Sequence, residues 1–139
     1  MEPASPARLY AAVAGVLLLV LGIVGFFYDA SFTGLGNLDP ALGALEVNAW
    51  FNLLYVATGA IGLLLAGAAS RPYSLAVGLL FTLLGILGLG TGWFHLLVGL
   101  LGLAAVAGTP RSRPSNRAKN VRQGPRNSEP RAKPTRQRA

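Results

Sequence analysis

The chain has no cysteine, one histidine and five carboxylic acids in 139 residues. Without cysteine there is no disulfide, no thiolate nucleophile and no thiolate metal ligand, and the redox compartment is not indicated. The sequence also lacks the HExxH metal motif, a phosphate-binding loop and a nucleophile elbow. These absences predict a protein that is not an enzyme and that has no cofactor and no metal site.

Charge is scarce as well, since 12% of the residues are charged while 53% are hydrophobic. Residues 1–108 hold two basic side chains, Arg8 and Arg71, against four acidic ones. Residues 109–139 hold ten basic side chains and a single acid. The chain therefore divides into an apolar domain, 1–108, and a polybasic tail, 109–139.

The tail is rich in proline and arginine and has no aromatic residue, so it is predicted to be disordered. Its cations are expected to contact anionic lipid headgroups. The residues assigned to that contact are Arg111, Arg113, Arg117, Lys119 and Arg122. Specific nucleic-acid binding is disfavoured, because the tail offers no aromatic side chain for base stacking.

Long apolar runs in the first domain predict an all-α integral membrane bundle of four helices, at about 9–28, 49–69, 74–89 and 93–107. The last run, 73–107, would reach about 52 Å as one helix and is expected to break at Gly90-Thr91-Gly92. Between the first two helices, Asp39 followed by Pro40 predicts a short surface helix over Pro40–Leu45. Because Arg8, Arg71 and the tail belong on the cytoplasmic side, both chain ends are predicted to be cytoplasmic at the cell (inner) membrane.

Residues 71–88 repeat residues 8–25, with eight identities in 18 positions. We interpret this as a tandem duplication of a helical hairpin, in which the first and third helices run parallel. The second helices of the two hairpins also correspond to each other, and two alignments are possible. An offset of 43 residues aligns AWFNLL with GWFHLL, and an offset of 40 aligns the glycines.

Glycines recur along one face of each helix, where they would let backbones approach closely. The predicted packing glycines are Gly15, Gly22, Gly25, Gly59, Gly62, Gly78, Gly85, Gly88, Gly99 and Gly102. They favour packing within the bundle, with a homo-oligomer or another membrane protein as the alternative partner for one of these faces.

A polar cluster is predicted near the outer surface from Asn48, Asn52, Tyr55, Thr91 and His95. Polar groups within a membrane need partners, so these side chains either hydrogen-bond to one another and to loop backbone or form a small site for a polar ligand or proton. His95 is the one group there that would titrate near neutral pH. Three aromatic pairs, Trp50 with Trp93, Phe51 with Phe94 and Tyr10 with Tyr73, are predicted to lie at the two membrane interfaces.

The stretches VNAWFNLLYVATG and GWFHLLVG resemble a family of small four-helix membrane proteins, common in actinobacteria and catalogued as domain of unknown function 4383. The family pattern has N-x-x-H-N-x-x-H-x-x-x-G at the opening of helix two and N-x-x-H-x-x-x-G at the opening of helix four. Asn48, Asn52 and Gly59 match the first, and His95 and Gly99 match the second. This chain departs from it at Phe51 and Tyr55, where the family tends to have histidines, and at Gly92, where it has asparagine. The resemblance implies four helices and no established activity, and the departures put in doubt any metal or proton site that those histidines would form.

Taken together, these patterns predict a non-enzymatic integral membrane protein that acts structurally or by binding lipids or a partner. The alternative is a small transporter or sensor with a polar outward-facing site.

Overall fold

The computed structural model of the protein describes residues 4–32, 34, 39–41 and 45–110. Within these residues it has four α-helices, α1 Pro6–Gly25, α2 Ala49–Leu65, α3 Ser70–Ile86 and α4 Gly92–Gly108. Two short strands, β1 Asp39–Ala41 and β2 Leu45–Val47, precede α2. The predicted all-α fold with four helices is confirmed. The lipid contacts assigned to the tail, from Arg111 onward, lie outside the described residues.

Some helix boundaries differ from the predicted ones, and at the start of α1 a capping signal explains the position. Helix α1 begins at Pro6, since the hydroxyl of Ser5 accepts a hydrogen bond from the amide of Arg8 at 3.3 Å and proline suits the first helical position. It ends at Gly25 rather than at residue 28. Helix α3 begins at Ser70, four residues before the expected start.

The predicted helix over Pro40–Leu45 is wrong. Asp39–Ala41 pairs antiparallel with Leu45–Val47, in a register that places Pro40 opposite Glu46. A helix of six residues forms too few hydrogen bonds to offset its nucleation, whereas two short segments joined by three residues that include a glycine favour a hairpin.

The long apolar run breaks between α3 and α4, as predicted, but through two left-handed glycines. Gly88 has φ 67° and Gly90 has φ 59°. The amide of Gly88 donates to the carbonyl of Gly85 and that of Leu89 to the carbonyl of Leu84, which is the Schellman pattern of a helix end. The packing role assigned to Gly88 is therefore wrong, because Gly88 lies beyond the helix and a Cβ there would meet nothing within 4 Å.

Each hairpin packs through its glycines, and the two hairpins do so in the same way. A Cβ on Gly59 would lie 2.9 Å from the Cα of Leu19, and one on Gly99 would lie 2.9 Å from the Cα of Thr82. Thr82 follows Leu19 by 63 positions, and Gly99 follows Gly59 by 40. The offset of 40 is therefore the structural one.

Two further pairs of contacts obey the same offsets. A Cβ on Gly22 would lie 2.7 Å from the amide nitrogen of Val56, and one on Gly85 would lie 2.7 Å from that of Leu96. Such contacts place these glycines inside the bundle, so the faces that carry them are occupied by partners within the chain.

Contacts between the hairpins confirm that α1 and α3 run parallel. The hydroxyl of Ser74, in the first turns of α3, donates to the carbonyl of Ala7, in the first turn of α1, at 3.2 Å. Two tyrosines reach across to the opposite hairpin from equivalent positions. Tyr10 donates to the carbonyl of Val98 at 2.9 Å, and Tyr73 donates to the carbonyl of Thr58 at 3.0 Å.

The aromatic residues predicted for the membrane interfaces differ in their exposure. Trp50 and Trp93 are exposed, but Phe51, Phe94 and Tyr73 are buried. Neighbouring positions on a helix point about 100° apart, so a phenylalanine that follows an outward tryptophan faces the interior. The buried phenylalanines join Leu18, Val77, Phe81 and Val98 in the core.

Candidate functional site

A buried hydrogen bond joins Tyr55 of α2 and His95 of α4, in the first two turns of these helices. The Tyr55 hydroxyl lies 2.6 Å from Nε2 of His95, and Nδ1 of the same ring lies 2.8 Å from the carbonyl oxygen of Leu89. A carbonyl can only accept, so Nδ1 carries the proton and Nε2 of the neutral ring accepts from the tyrosine. Both ring nitrogens are therefore used within the chain.

Aromatic rings surround this imidazole, which is 0% exposed. The ring centroids of Phe51, Phe81 and Phe94 lie 5.5, 5.4 and 6.2 Å from that of His95. A cavity beside Tyr55 and Phe94 measures about 10 Å³, which is the space of about one water molecule. The pair is thus enclosed by aromatic rings, and this cavity has no room for a ligand larger than a water molecule.

Tyr55 and His95 are also equivalent positions of the two hairpins. They are 40 residues apart, as Gly59 and Gly99 are, and each lies four residues before that glycine. Their hydrogen bond therefore joins the hairpins at the point where the internal repeat meets itself. The two halves of this bond differ chemically, since one hairpin supplies a phenol and the other an imidazole.

Asn48 and Asn52 anchor the chain segment that precedes α2 rather than joining the central pair. Asn48 caps α2, because its Oδ1 accepts from the amide of Trp50 at 2.8 Å, and its Nδ2 donates to the carbonyl of Gly34 at 3.2 Å. One turn later, Nδ2 of Asn52 donates to the carbonyl of Asp29 at 3.0 Å. The side-chain amide of Asn52 also packs directly against Gly25, so no side chain larger than that of glycine would fit at position 25.

Asp29 closes the end of α1 and was not anticipated as a site residue. Its Oδ1 accepts from the hydroxyl of Ser31 at 2.5 Å and from the amide of Ser31 at 2.7 Å. These bonds hold the pKa of the Asp29 carboxyl below its ordinary value, with a smaller contribution from the amide of Ala49. The Asp-x-Ser spacing is a local turn signal that could have revealed this role.

Two acceptor atoms in this region make no hydrogen bond with the described part of the chain. They are Oδ2 of Asp29 and Oδ1 of Asn52, and both are buried. Their residues are already joined through the bond from Asn52 to the Asp29 carbonyl.

Thr91 connects the two hairpins at the same end of the bundle. Its hydroxyl accepts from the amide of Glu46 at 2.7 Å and donates to the carbonyl of Glu46 at 3.2 Å. These two hydrogen bonds hold β2 against the turn that leads into α4.

The five predicted polar residues thus form three connections rather than one site: Tyr55 with His95, the two asparagines with the segment after α1, and Thr91 with β2. The sequence did not indicate the contributions of the Leu89 carbonyl and the Phe81 ring. Within the described residues, no group of three histidine, cysteine or acidic side chains could hold a metal ion.

Fold and site together define a small all-α protein in which two equivalent helical hairpins meet around a buried tyrosine–histidine pair. The family model described as Domain of unknown function (DUF4383) matches residues 8–94. This match covers more than half of the chain, and the protein belongs to that family. No curated protein and no solved structure matches it.

Proposed function

We propose that this protein is a multi-pass integral membrane protein without enzymatic activity, which acts by binding lipids or another membrane protein. The observation that carries the proposal is the distribution of side chains in the bundle. The outer surface is covered with large apolar side chains, whereas the buried polar side chains and the packing glycines lie in the interior, beside a small aromatic and aliphatic core.

The exposed fractions of individual side chains support this distribution. Leu64 is 80% exposed, Ile86 70% and Leu9 59%, while Asn48, Asn52 and His95 are each 0% exposed. Contiguous apolar patches of more than a few hundred Å² are unusual on soluble monomers, and large apolar side chains are exposed on all four helices here. Helices that associate in lipid place glycine and polar groups at their contacts and leave leucine facing the acyl chains.

Helix lengths support the proposal unequally. Helix α1 has 20 residues and a mean hydropathy of 2.3, and it is the one described helix that is long and apolar enough to cross a membrane by itself. Helices α2, α3 and α4 have 17 residues each, or about 25 Å, at the lower limit for a span. Flanking residues and slight bilayer thinning would accommodate them.

The orientation places Arg8, Arg71 and the tail on the cytoplasmic side of the cell membrane. Arg8 and Arg71 lie in the first turns of the parallel helices α1 and α3, so they belong to the same end of the bundle. Asp29, Glu46 and Thr91 lie at the opposite end.

The absence of cysteine allows a direct test of insertion and orientation. Single cysteines are introduced at exposed Ala4 and Ala30, and at Ala139, and intact cells are treated with a membrane-impermeant maleimide. We expect Ala30→Cys to react from outside, and Ala4→Cys and Ala139→Cys to react only after permeabilisation. Release of the protein by alkaline carbonate, or labelling of Ala139→Cys in intact cells, would contradict the proposal.

A transporter or sensor centred on His95 is the second candidate, and the buried titratable imidazole is the observation in its favour. The geometry supports the structural role better, because both ring nitrogens already have partners in the chain. A His95→Gln variant that folds but loses a pH-dependent phenotype would favour the sensor.

A further inference from the structure

A groove with one cation at its edge lies between the start of α3 and the end of α4. It measures about 790 Å³ and is open to the surface of the bundle. Leu75, Leu103 and Val106 form its apolar walls, and Arg71 lies at the same end as the α4 terminus. An amphipathic ligand with an apolar chain and an anionic end would match this combination.

Arg71 is available to such a ligand. It is half-buried, and it forms no salt bridge or hydrogen bond with any side chain in the described part of the protein. Asp29 and Glu46 lie at the opposite end of the bundle from Arg71. There the Asp29 carboxylate accepts from the Ser31 hydroxyl, and the backbone amide of Glu46 donates to the Thr91 hydroxyl. A half-buried guanidinium beside apolar walls is a suitable partner for the anionic end of an amphipathic ligand.

Sequence around the groove adds positive charge. Thr109 and Pro110 line its rim, and the strongly basic segment 111–139 follows Pro110 directly. The tail has ten basic side chains and one acidic one, so it would bring net positive charge toward Arg71. A second copy of the chain would bring the same positive charge. Both considerations favour an anionic ligand that lipid membranes supply.

We infer that this groove binds an anionic phospholipid, with the headgroup phosphate at Arg71 and one acyl chain along Leu75, Leu103 and Val106. This inference rests on the proposed membrane insertion and extends it to a defined site. The site is separate from the tail contacts expected from the sequence, because its cation and walls belong to the helices.

The test is native mass spectrometry of the full-length protein in detergent, titrated with phosphatidylglycerol or with phosphatidylcholine. We expect Arg71→Gln to weaken phosphatidylglycerol binding about fivefold, which is the contribution of one arginine at a membrane surface. The matched control is Arg8→Gln, since Arg8 is the repeat equivalent of Arg71 and is exposed on α1. That variant should bind phosphatidylglycerol as the wild type does. Both variants keep the basic tail, so lipid binding by the tail contributes equally to each.

A second variant, Ala107→Glu, places a carboxylate on the exposed rim of the groove without disturbing the interior. It should weaken phosphatidylglycerol binding to a similar extent by pairing with Arg71. Glycerophosphoglycerol, the same headgroup without acyl chains, should not compete. Equal binding by Arg71→Gln and wild type, or full competition by the free headgroup, would overturn the inference while leaving membrane insertion intact. Loss of the protein from the membrane fraction would instead contradict the proposed function.

Discussion

The Tyr55 hydroxyl donates a hydrogen bond to Nε2 of His95 across 2.6 Å, between equivalent positions of two helical hairpins. This bond satisfies the last free acceptor of an imidazole that is already fixed through Nδ1 to Leu89. Because the pair is buried among aromatic rings, neither polar group is exposed to bulk solvent. The contact between α2 and α4 therefore depends on both side chains together.

Replacing Tyr55 with phenylalanine should destabilise the protein by about 1–3 kcal/mol, because a buried acceptor on His95 loses its donor. The free energy of unfolding is measured by SDS titration in mixed micelles. Tyr28→Phe serves as the control, since Tyr28 is 54% exposed. A loss of stability in the control as large as that in Tyr55→Phe would argue against the hydrogen bond as the cause.

The same pair gives a double-mutant cycle. His95→Phe removes the acceptor, so in that background Tyr55→Phe should change stability far less than it does in the wild type. Additive effects of the two substitutions would mean that the hydrogen bond contributes nothing beyond the separate packing of each ring.

Helix number and the repeat were predictable from the sequence because they depend on long apolar runs and on glycine spacing. Gly59 and Gly99 show how far this goes. The sequence left two offsets open for the second helix of each hairpin, and the backbone contacts of these two glycines decide for the offset of 40 residues. The β-hairpin before α2 was not predictable from the Asp-Pro signal, which favours a helix start locally. The sequence also could not show that the polar residues form three separate connections. Those connections depend on which backbone carbonyls and loop residues lie close to each side chain in the folded chain.

Alanine at Gly59 or at Gly99 should destabilise the bundle by about 1–3 kcal/mol each, because a methyl group there meets the backbone of Leu19 or Thr82. The two losses should be similar, since the two contacts are equivalent. Gly67→Ala is the matched control, because a Cβ at Gly67 meets nothing within 4 Å. Comparison of all three variants by SDS unfolding tests both the packing and the internal symmetry; a loss at one position only would refute that equivalence.

Gly88→Ala should destabilise the end of α3 by about 1–2 kcal/mol through backbone conformation alone, since φ is 67° and no atom lies within 4 Å of the added methyl group. Asparagine tolerates left-handed conformations better, so Gly88→Asn should lose less stability than Gly88→Ala. Unfolding measurements on the two variants separate this cause from packing. Equal losses in both would point to a requirement other than the backbone angle.

Asp29 should make stability depend on acid pH. Because hydrogen bonds from Ser31 lower the pKa of its carboxyl, the stabilisation is present above the ordinary pKa of 3.8 and is lost as the pH falls below it. Ser31→Ala removes the hydroxyl bond, so its melting temperature in detergent should lie below that of the wild type at pH 7, and the difference should shrink toward pH 3. In an Asp29→Asn background, which holds no ionisable carboxyl at this position, the effect of Ser31→Ala should not change with pH. A difference between Ser31→Ala and wild type that is constant from pH 7 to pH 3 would show that Ser31 acts without the charge of Asp29.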